Sequence, residues 1–197
     1  MKDPKTFINA SVNHFYNKFK HEMKEEYKSF NIRLTKDSKQ KLTYDDFTKS
    51  VVGNHPTIFI LIEDNNHHHH VFASYGSLNQ IKYNDIRYLQ DDEFFVSQLM
   101  YDDKLDKPFK IKSNYDDAYD TCCFREKEMD YIIGIGSLFS LHHNMTLKFD
   151  KDSIKDLHKD FEFDENDFET VDTIFKTPVK IKGTGYKIIQ IVIGDWE

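Results

Sequence analysis

Apolar residues recur every three or four positions near the start of the chain, which is the spacing of one face of an α-helix. Pro4 stands where the first turn of a helix tolerates proline. The pattern predicts an amphipathic helix within residues 4–30, packed either on its own domain or on a second copy or partner. The apolar stripe of this helix consists of Ile8, Val12, Phe15, Phe19, Met23 and Tyr27.

The next stretch, residues 29–54, is polar and charged, with one short helical pattern inside it. Thr43 followed by Asp46 resembles a capping arrangement, in which a side chain accepts a hydrogen bond from a free backbone amide. We place this helix at residues 44–52, with Phe47 and Val51 facing inward.

From residue 57 onward, short β-branched or aromatic runs alternate with polar residues, a pattern typical of strands. The run "IIQIVI" near the end is apolar on both faces, which favours an inner strand. No strand pattern alternates with long helical patterns, which argues against a doubly wound parallel sheet. We therefore predict a mainly β fold with peripheral helices (α+β), organised as a two-sheet antiparallel sandwich. The loop over residues 77–92 has room for a short helix around residues 83–89.

Composition and charge restrict the classes of partner. The chain has 197 residues and is 39% apolar, enough for a hydrophobic core. A net charge of −7 argues against non-specific nucleic-acid binding and against an anionic membrane surface. The densest apolar run, Ile58–Ile62, is far too short to span a membrane. The chain start lacks the apolar core of a signal peptide and the two cysteines are adjacent, so we expect a reduced, cytoplasmic location.

The two adjacent cysteines, Cys122 and Cys123, lie inside a strand pattern, so one side chain should point inward and the other outward. There is no C-x-x-C motif that would activate a thiolate. The interpretation we favour is one core thiol beside one surface thiol. A cysteine-dependent enzyme with His143 or His158 as the base is left open.

The glycine and acidic motifs do not have the spacing of known binding loops. "GIGS" at Gly134–Ser137 lacks the third glycine of a dinucleotide fingerprint, and "KGTGYK" at Lys182–Lys187 lacks the phosphate-loop spacing. The acidic stretch over residues 160–169 lacks the residue order and central glycine of a calcium loop. We therefore predict no catalytic residue and no cofactor site.

Four consecutive histidines, His67–His70, stand between two predicted strands, Ile58–Glu63 and Val71–Tyr75. The Asp-Asn-Asn before them is typical of a turn. Strand alternation places two histidines on each face, short of the four ligands of a closed zinc site. The sequence predicts a hairpin tip and no metal site, with metal binding by the histidines as the weaker alternative.

From residue 43 onward, the order of motifs resembles the TLDc domain family. The matching segments are "HPTIFILIED" with "VFASY", then "DDEFFVSQL", "DYIIGIGSLFSL", and the tail "VDTIFKTPV" followed by "YKIIQIVIGDWE". Ala73 and Ser137 stand where the family commonly has glycine. Residues 1–42 would then be an N-terminal helix and linker, and residues 43–197 a TLDc-like domain.

The resemblance implies a β-sandwich with peripheral helices and no established catalytic centre. Family members are linked to protection against oxidative stress, and several bind the vacuolar proton-pumping ATPase. The chain is therefore expected to be a protein–protein interaction module, with vacuolar ATPase subunits as candidate partners. A self-associating protein that dimerises through residues 4–30 is the alternative.

Overall fold

The architecture comes from a computed structural model. It describes residues 3–21, 23, 27, 29–51, 55–64, 66–76, 88–89, 94–113, 122–124, 131–135, 139–149, 161–162 and 185–197.

This part of the chain forms two helices and twelve strands. The helices are α1 (Pro4–Phe19) and α2 (Tyr44–Val51). The strands are β1 (Phe30–Asp37), β2 (Thr57–Glu63), β3 (His69–Tyr75), β4 (Tyr88–Leu89), β5 (Phe95–Tyr101), β6 (Lys104–Ser113), β7 (Cys122–Phe124), β8 (Tyr131–Ile135), β9 (Phe139–His142), β10 (Thr146–Phe149), β11 (Phe161–Glu162) and β12 (Tyr186–Trp196).

The strands pair in the order β11-β6-β5-β3-β2-β12-β10-β9-β8-β7-β4, and β1 pairs with β12 beside this path. The pairings are antiparallel, so the predicted mainly antiparallel β fold with a few helices is confirmed. One edge of β12 pairs with β2, and the other is shared by β1 and the start of β10. The prediction that the "IIQIVI" run forms an inner strand is also confirmed.

Helix α1 packs its apolar face on the sheet. Asp3 caps the helix by accepting a hydrogen bond from the backbone amide of Lys5 at 3.1 Å. The ring of Phe15 is fully buried and stacks between Phe95 and Trp196, with ring centroids 5.7 and 5.8 Å away. The helix ends at Phe19, so the predicted extension to residue 30 is wrong.

The last two residues of the predicted stripe lie beyond the helix but stay in the core. Met23 and Tyr27 are both buried in the cluster that α1 forms with the sheet. The sequence therefore identified the buried side chains correctly, although the backbone that carries the last two is not helical.

Helix α2 begins where the capping pattern placed it. The backbone amide of Asp46 donates to the Thr43 hydroxyl oxygen at 3.1 Å. Phe47 and Val51 are buried, as predicted. Lys36 of β1 forms an ion pair with Asp46 at 3.0 Å, which ties α2 to the neighbouring strand.

Two further predictions need correction. Residues 29–54 were expected to hold only a helix, but β1 occupies Phe30–Asp37 and pairs with β12. Of the short helix expected around residues 83–89, Tyr88 and Leu89 lie in strand β4, and residues 83–87 fall outside the described residues. The "VDTIFKTPV" tail, residue 160 and residues 163–169 of the acidic stretch fall outside the described residues.

Strand β1 and helix α1 share one core with the strands of the predicted 43–197 domain. Phe7 and Phe15 of α1 belong to the same buried cluster as Phe59 and Tyr75 of the sheet, and Phe30 of β1 packs against it. A boundary at residue 42 stays a prediction. Of the two helices described, neither is both long and apolar enough to cross a membrane.

Candidate functional site

The histidine run forms the tip of the β2–β3 hairpin and the start of β3. The Asp64 carboxylate oxygen Oδ1 accepts hydrogen bonds from the backbone amides of Asn66, at 2.8 Å, and His68, at 2.9 Å. His67 has a φ of 64°, the left-handed conformation of a tight turn. The predicted hairpin is confirmed. The strand begins earlier than predicted, because His69 and His70 pair with Glu63 and Ile62.

Two of the four histidines have separate roles at the hairpin. His67 is exposed and its Nδ1 lies against the Glu63 carboxylate. His69 Nδ1 lies 2.6 Å from the Asp103 carboxylate, and its ring stacks on Phe7 of α1 with centroids 4.6 Å apart. Neither side chain belongs to a shared cluster of metal ligands in the described part of the chain.

His68 and His70 instead face a common neighbour, Asp102. His68 Nδ1 lies 3.3 Å from Asp102 Oδ1. His70 is fully buried, with its Nε2 atom 3.4 Å from Asp64 Oδ2 and 3.9 Å from Asp102 Oδ1. Asp64, His70 and Asp102 each offer a ligand atom, and these three atoms lie within 4.8 Å of one another.

Asp102 arrives at this cluster from the β5–β6 hairpin. Tyr101 pairs with Lys104, so Asp102 and Asp103 form a two-residue connection. Their φ angles are 48° and 63°, and two positive φ values in succession are typical of a type I′ turn. The backbone amide of Asp103 donates to the His69 carbonyl at 3.0 Å, which joins this turn to the start of β3.

Burial and hydrogen bonding set the charges in the cluster. Burial lowers the pKa of His70 and outweighs the opposing effect of Asp64, so the imidazole is neutral at pH 7. Burial raises the pKa of Asp64, but hydrogen bonds from the His68 and Asn66 amides, with one from His70, bring it below its usual value. The site therefore presents a neutral imidazole to an ionised, largely buried carboxylate.

A second feature is a groove of about 410 Å³ between α1 and β1. Ile32 on β1 is 52% exposed at its rim. No charged side chain is found among the described residues that line it. These residues are Asn9, Val12, Asn13, Tyr16, Ser29, Phe30, Ile32 and Trp196.

Trp196 connects the groove to the core. Its ring packs against Tyr16 of α1 and Phe30 of β1, with centroids 5.5 and 4.8 Å away. Its Nε1 donates to the Thr57 hydroxyl oxygen at 2.9 Å. The far edge of β1 has no partner among the strands that the structure describes.

The described residues do not bring Cys122 or Cys123 together with a histidine base. Cys122 and Cys123 lie in strand β7, as predicted, but the positions of their side chains fall outside what the structure describes. His143, one candidate base, sits in the β9–β10 turn and donates from Nδ1 to the Leu42 carbonyl at 3.1 Å. His158, the other, lies outside the described residues.

The two features were missed from the sequence for different reasons. The groove requires β1, whose strand pattern was interpreted as a linker. The cluster requires Asp102, which is far from the histidines in sequence and reaches them only through the pairing of β3 with β5. The available signal was the adjacent Asp102–Asp103 pair, whose aspartates suit the positive φ values of a tight turn.

Neither the protein-family models nor the curated proteins searched contain a match to this chain. The TLDc resemblance therefore stays a prediction from the order of its motifs.

Proposed function

We propose that the chain is a non-catalytic, protein-binding module of the TLDc type, with its strands arranged as a two-sheet sandwich. Its binding site is the groove between α1 and β1, and its ligand is an extended segment of a partner protein. The observation that carries this proposal is the half-exposed Ile32, on a sheet edge beside a groove with an aromatic floor.

The lining of the groove indicates the chemistry of its ligand. Because the lining side chains are uncharged and mostly apolar, aromatic or amide in character, they suit a segment with an apolar residue at its centre. An extended peptide can add to an open sheet edge through main-chain hydrogen bonds, and pockets for its side chains then give specificity. The net charge of −7 favours basic residues on the partner outside the groove.

The resemblance to the TLDc family suggests the partner. Vacuolar ATPase subunits are the first candidates for the partner. On the same resemblance, this chain would act in the cytoplasm and contribute to protection against oxidative stress. Dimerisation through residues 4–30 is less well supported, because Phe15 and Phe19 of that segment are buried against the chain's own sheet. A dimer built on this apolar face would require α1 to leave the core.

The test is a pull-down of purified vacuolar ATPase subunits with the full chain at physiological salt. Ile32→Glu places a charge at the rim of the groove and should abolish capture. Leu105→Glu is the matched control. Leu105 is also a large apolar side chain, 45% exposed, but it does not line the groove. This control should bind like the wild type.

Two results would contradict the proposal. One is equal capture by the two variants, which would show that the groove is not the binding site. The other is that the folded wild-type chain captures none of the subunits. The solution mass of the same three proteins tests self-association, and a dimer that only Ile32→Glu dissociates would assign the groove to a second copy instead.

A further inference from the structure

We propose that Asp64, His70 and Asp102 bind a zinc ion that joins the tips of the β2–β3 and β5–β6 hairpins. The three ligand atoms converge to within 4.8 Å of one another from two different hairpins. This site is separate from the groove and does not depend on the proposed function.

The spacing of His70 and Asp64 matches two ligands of a tetrahedral metal, besides being that of a long hydrogen bond. His70 Nε2 and Asp64 Oδ2 are 3.4 Å apart. An N–H···O hydrogen bond is usually about 2.7–3.2 Å long. Two ligands bound about 2.0–2.2 Å from a tetrahedral zinc ion lie about 3.3–3.6 Å from each other. The 3.9 Å from His70 Nε2 to Asp102 Oδ1 is slightly longer, and Asp102, at 40% side-chain exposure, has freedom to close it.

His70 provides the independent sign of a ligand. Its side chain is fully buried, and its Nε2 is directed at both carboxylates. Its Nδ1 has no hydrogen-bond partner among the described residues. A buried histidine is ordinarily held by hydrogen bonds to both ring nitrogens. A metal-ligating histidine ordinarily donates from its other ring nitrogen as well, so the sign of a ligand here is Nε2, which is buried and directed at two carboxylates.

Each carboxylate has an oxygen available for the ion. Asp64 uses Oδ1 to accept from the Asn66 and His68 amides, which leaves Oδ2 facing His70. The turn that these amides close therefore fixes the ligand oxygen before any metal binds. His68, whose Nδ1 is 3.3 Å from Asp102 Oδ1, stands next to the cluster but is not one of the three residues whose ligand atoms converge.

The ligand types select the metal. Calcium and magnesium prefer oxygen ligands alone, whereas imidazole with carboxylate suits zinc and its neighbours in the first transition series. An ion at this position would also neutralise the two carboxylates that face each other across His70. Its role would be structural, because it fastens two turns that are otherwise joined by the contacts of His69 with Asp103 and of His68 with Asp102.

The test is a calorimetric titration of chelator-treated full-length protein with zinc chloride. A second titration, with cobalt chloride, is followed by visible absorption spectroscopy. We expect one zinc per chain and the cobalt bands of a tetrahedral nitrogen and oxygen site. Asp102→Asn should weaken zinc binding at least tenfold, because the amide is a poor ligand. Asparagine accepts the positive φ of this turn, so the variant should remain folded.

Two control variants separate this site from binding by surface histidines. Asp103→Asn makes the same change at the next residue of the turn, and His67→Ala removes the most exposed histidine of the run. Both should retain one zinc ion with unchanged affinity. The proposal is overturned if Asp102→Asn binds zinc like the wild type. It is also overturned if His67→Ala alone loses the zinc, because the metal is then adventitious and held by the exposed histidines.

Discussion

The indole Nε1 of Trp196 donates a hydrogen bond to the Thr57 hydroxyl oxygen, at 2.9 Å, in the core between β12 and β2. Both residues are buried, so neither group can turn to water instead. Thr57→Val keeps the shape of the side chain but leaves the indole N–H unsatisfied, which should lower the free energy of unfolding by about 1–3 kcal/mol. Urea denaturation followed by tryptophan fluorescence measures this loss.

Thr35→Val is the matched control for that experiment, because Thr35 is exposed on β1. An exposed strand substitution of this kind should change the free energy of unfolding by less than about 0.5 kcal/mol. An equal effect of the two substitutions would show that the Trp196 hydrogen bond contributes nothing to stability.

Gly194 allows β1 to approach β12 closely. A Cβ atom at this position would lie 2.3 Å from the Asn31 carbonyl oxygen and 2.7 Å from Phe30 Cζ. The backbone oxygen cannot move without separating the strands, so Gly194→Ala should destabilise the protein by about 1–3 kcal/mol. Hydrogen exchange should show the loss concentrated in the amides of β1 that pair with β12. Unchanged protection there would contradict the close approach.

The left-handed conformation of His67 predicts which residues this position accepts. His67→Gly should change the free energy of unfolding by less than about 0.5 kcal/mol, since glycine adopts positive φ readily. His67→Val should cost about 1–3 kcal/mol, because a β-branched residue is strained at this φ. Thermal unfolding of the two variants makes the comparison. If valine were tolerated as well as glycine, the turn would not have this conformation.

Asp46 should make stability depend on pH in the acidic range. Its hydrogen bond with Lys36, followed by one with the Thr43 hydroxyl, holds the pKa of Asp46 below its ordinary value of 3.8. A carboxyl with a lowered folded-state pKa stabilises the protein above its unfolded pKa, and the effect disappears as the pH falls through the folded pKa. The stability difference between wild type and Asp46→Asn should therefore be constant near neutral pH and shrink below 3.8.

Denaturation over a pH series measures that difference. At neutral pH, Lys36→Gln should reduce the stability difference between wild type and Asp46→Asn, and so should high salt, because the pair is partly exposed. A difference that grows on acidification would have the wrong sign and would exclude this explanation.

Strand β1 was within reach of sequence reasoning. Phe30, Ile32 and Leu34 alternate with Asn31 and Arg33, which is the period-two pattern of a strand. The surrounding charge concealed it, and the stretch was interpreted as a linker. The charges in fact have partners: Arg33 forms a hydrogen bond through Nε to Asp195 on β12 at 2.8 Å.

The Asp64–His70–Asp102 cluster was not within reach in the same way. Strand alternation correctly placed the side chains of His69 and His70 on opposite faces. Which carboxylates lie opposite His70 depends instead on how the strands pair. Asp102 approaches only because β3 pairs with β5 in one register, with an irregularity between Val71 and Phe72. A one-residue change in that register would turn the facing side chains away, and periodicity within a strand carries no information about register. Local patterns therefore located the hairpin but not the ligands across from it.

The position of β12 has a consequence for how the chain folds. This strand is the partner of β1 and of β2, and its contacts with them join residues 162 and 139 positions apart, as in Arg33–Asp195 and Thr57–Trp196. Loops of that length close slowly, because their entropy is lost before the contacts form. During synthesis, β1 and β2 are made long before the strand that separates them. Until β12 is synthesised, the edges of β1 and β2 are open to pairing with other chains. The need for chaperones should therefore depend on the time between the synthesis of β2 and that of β12, and not on the stability of the folded protein.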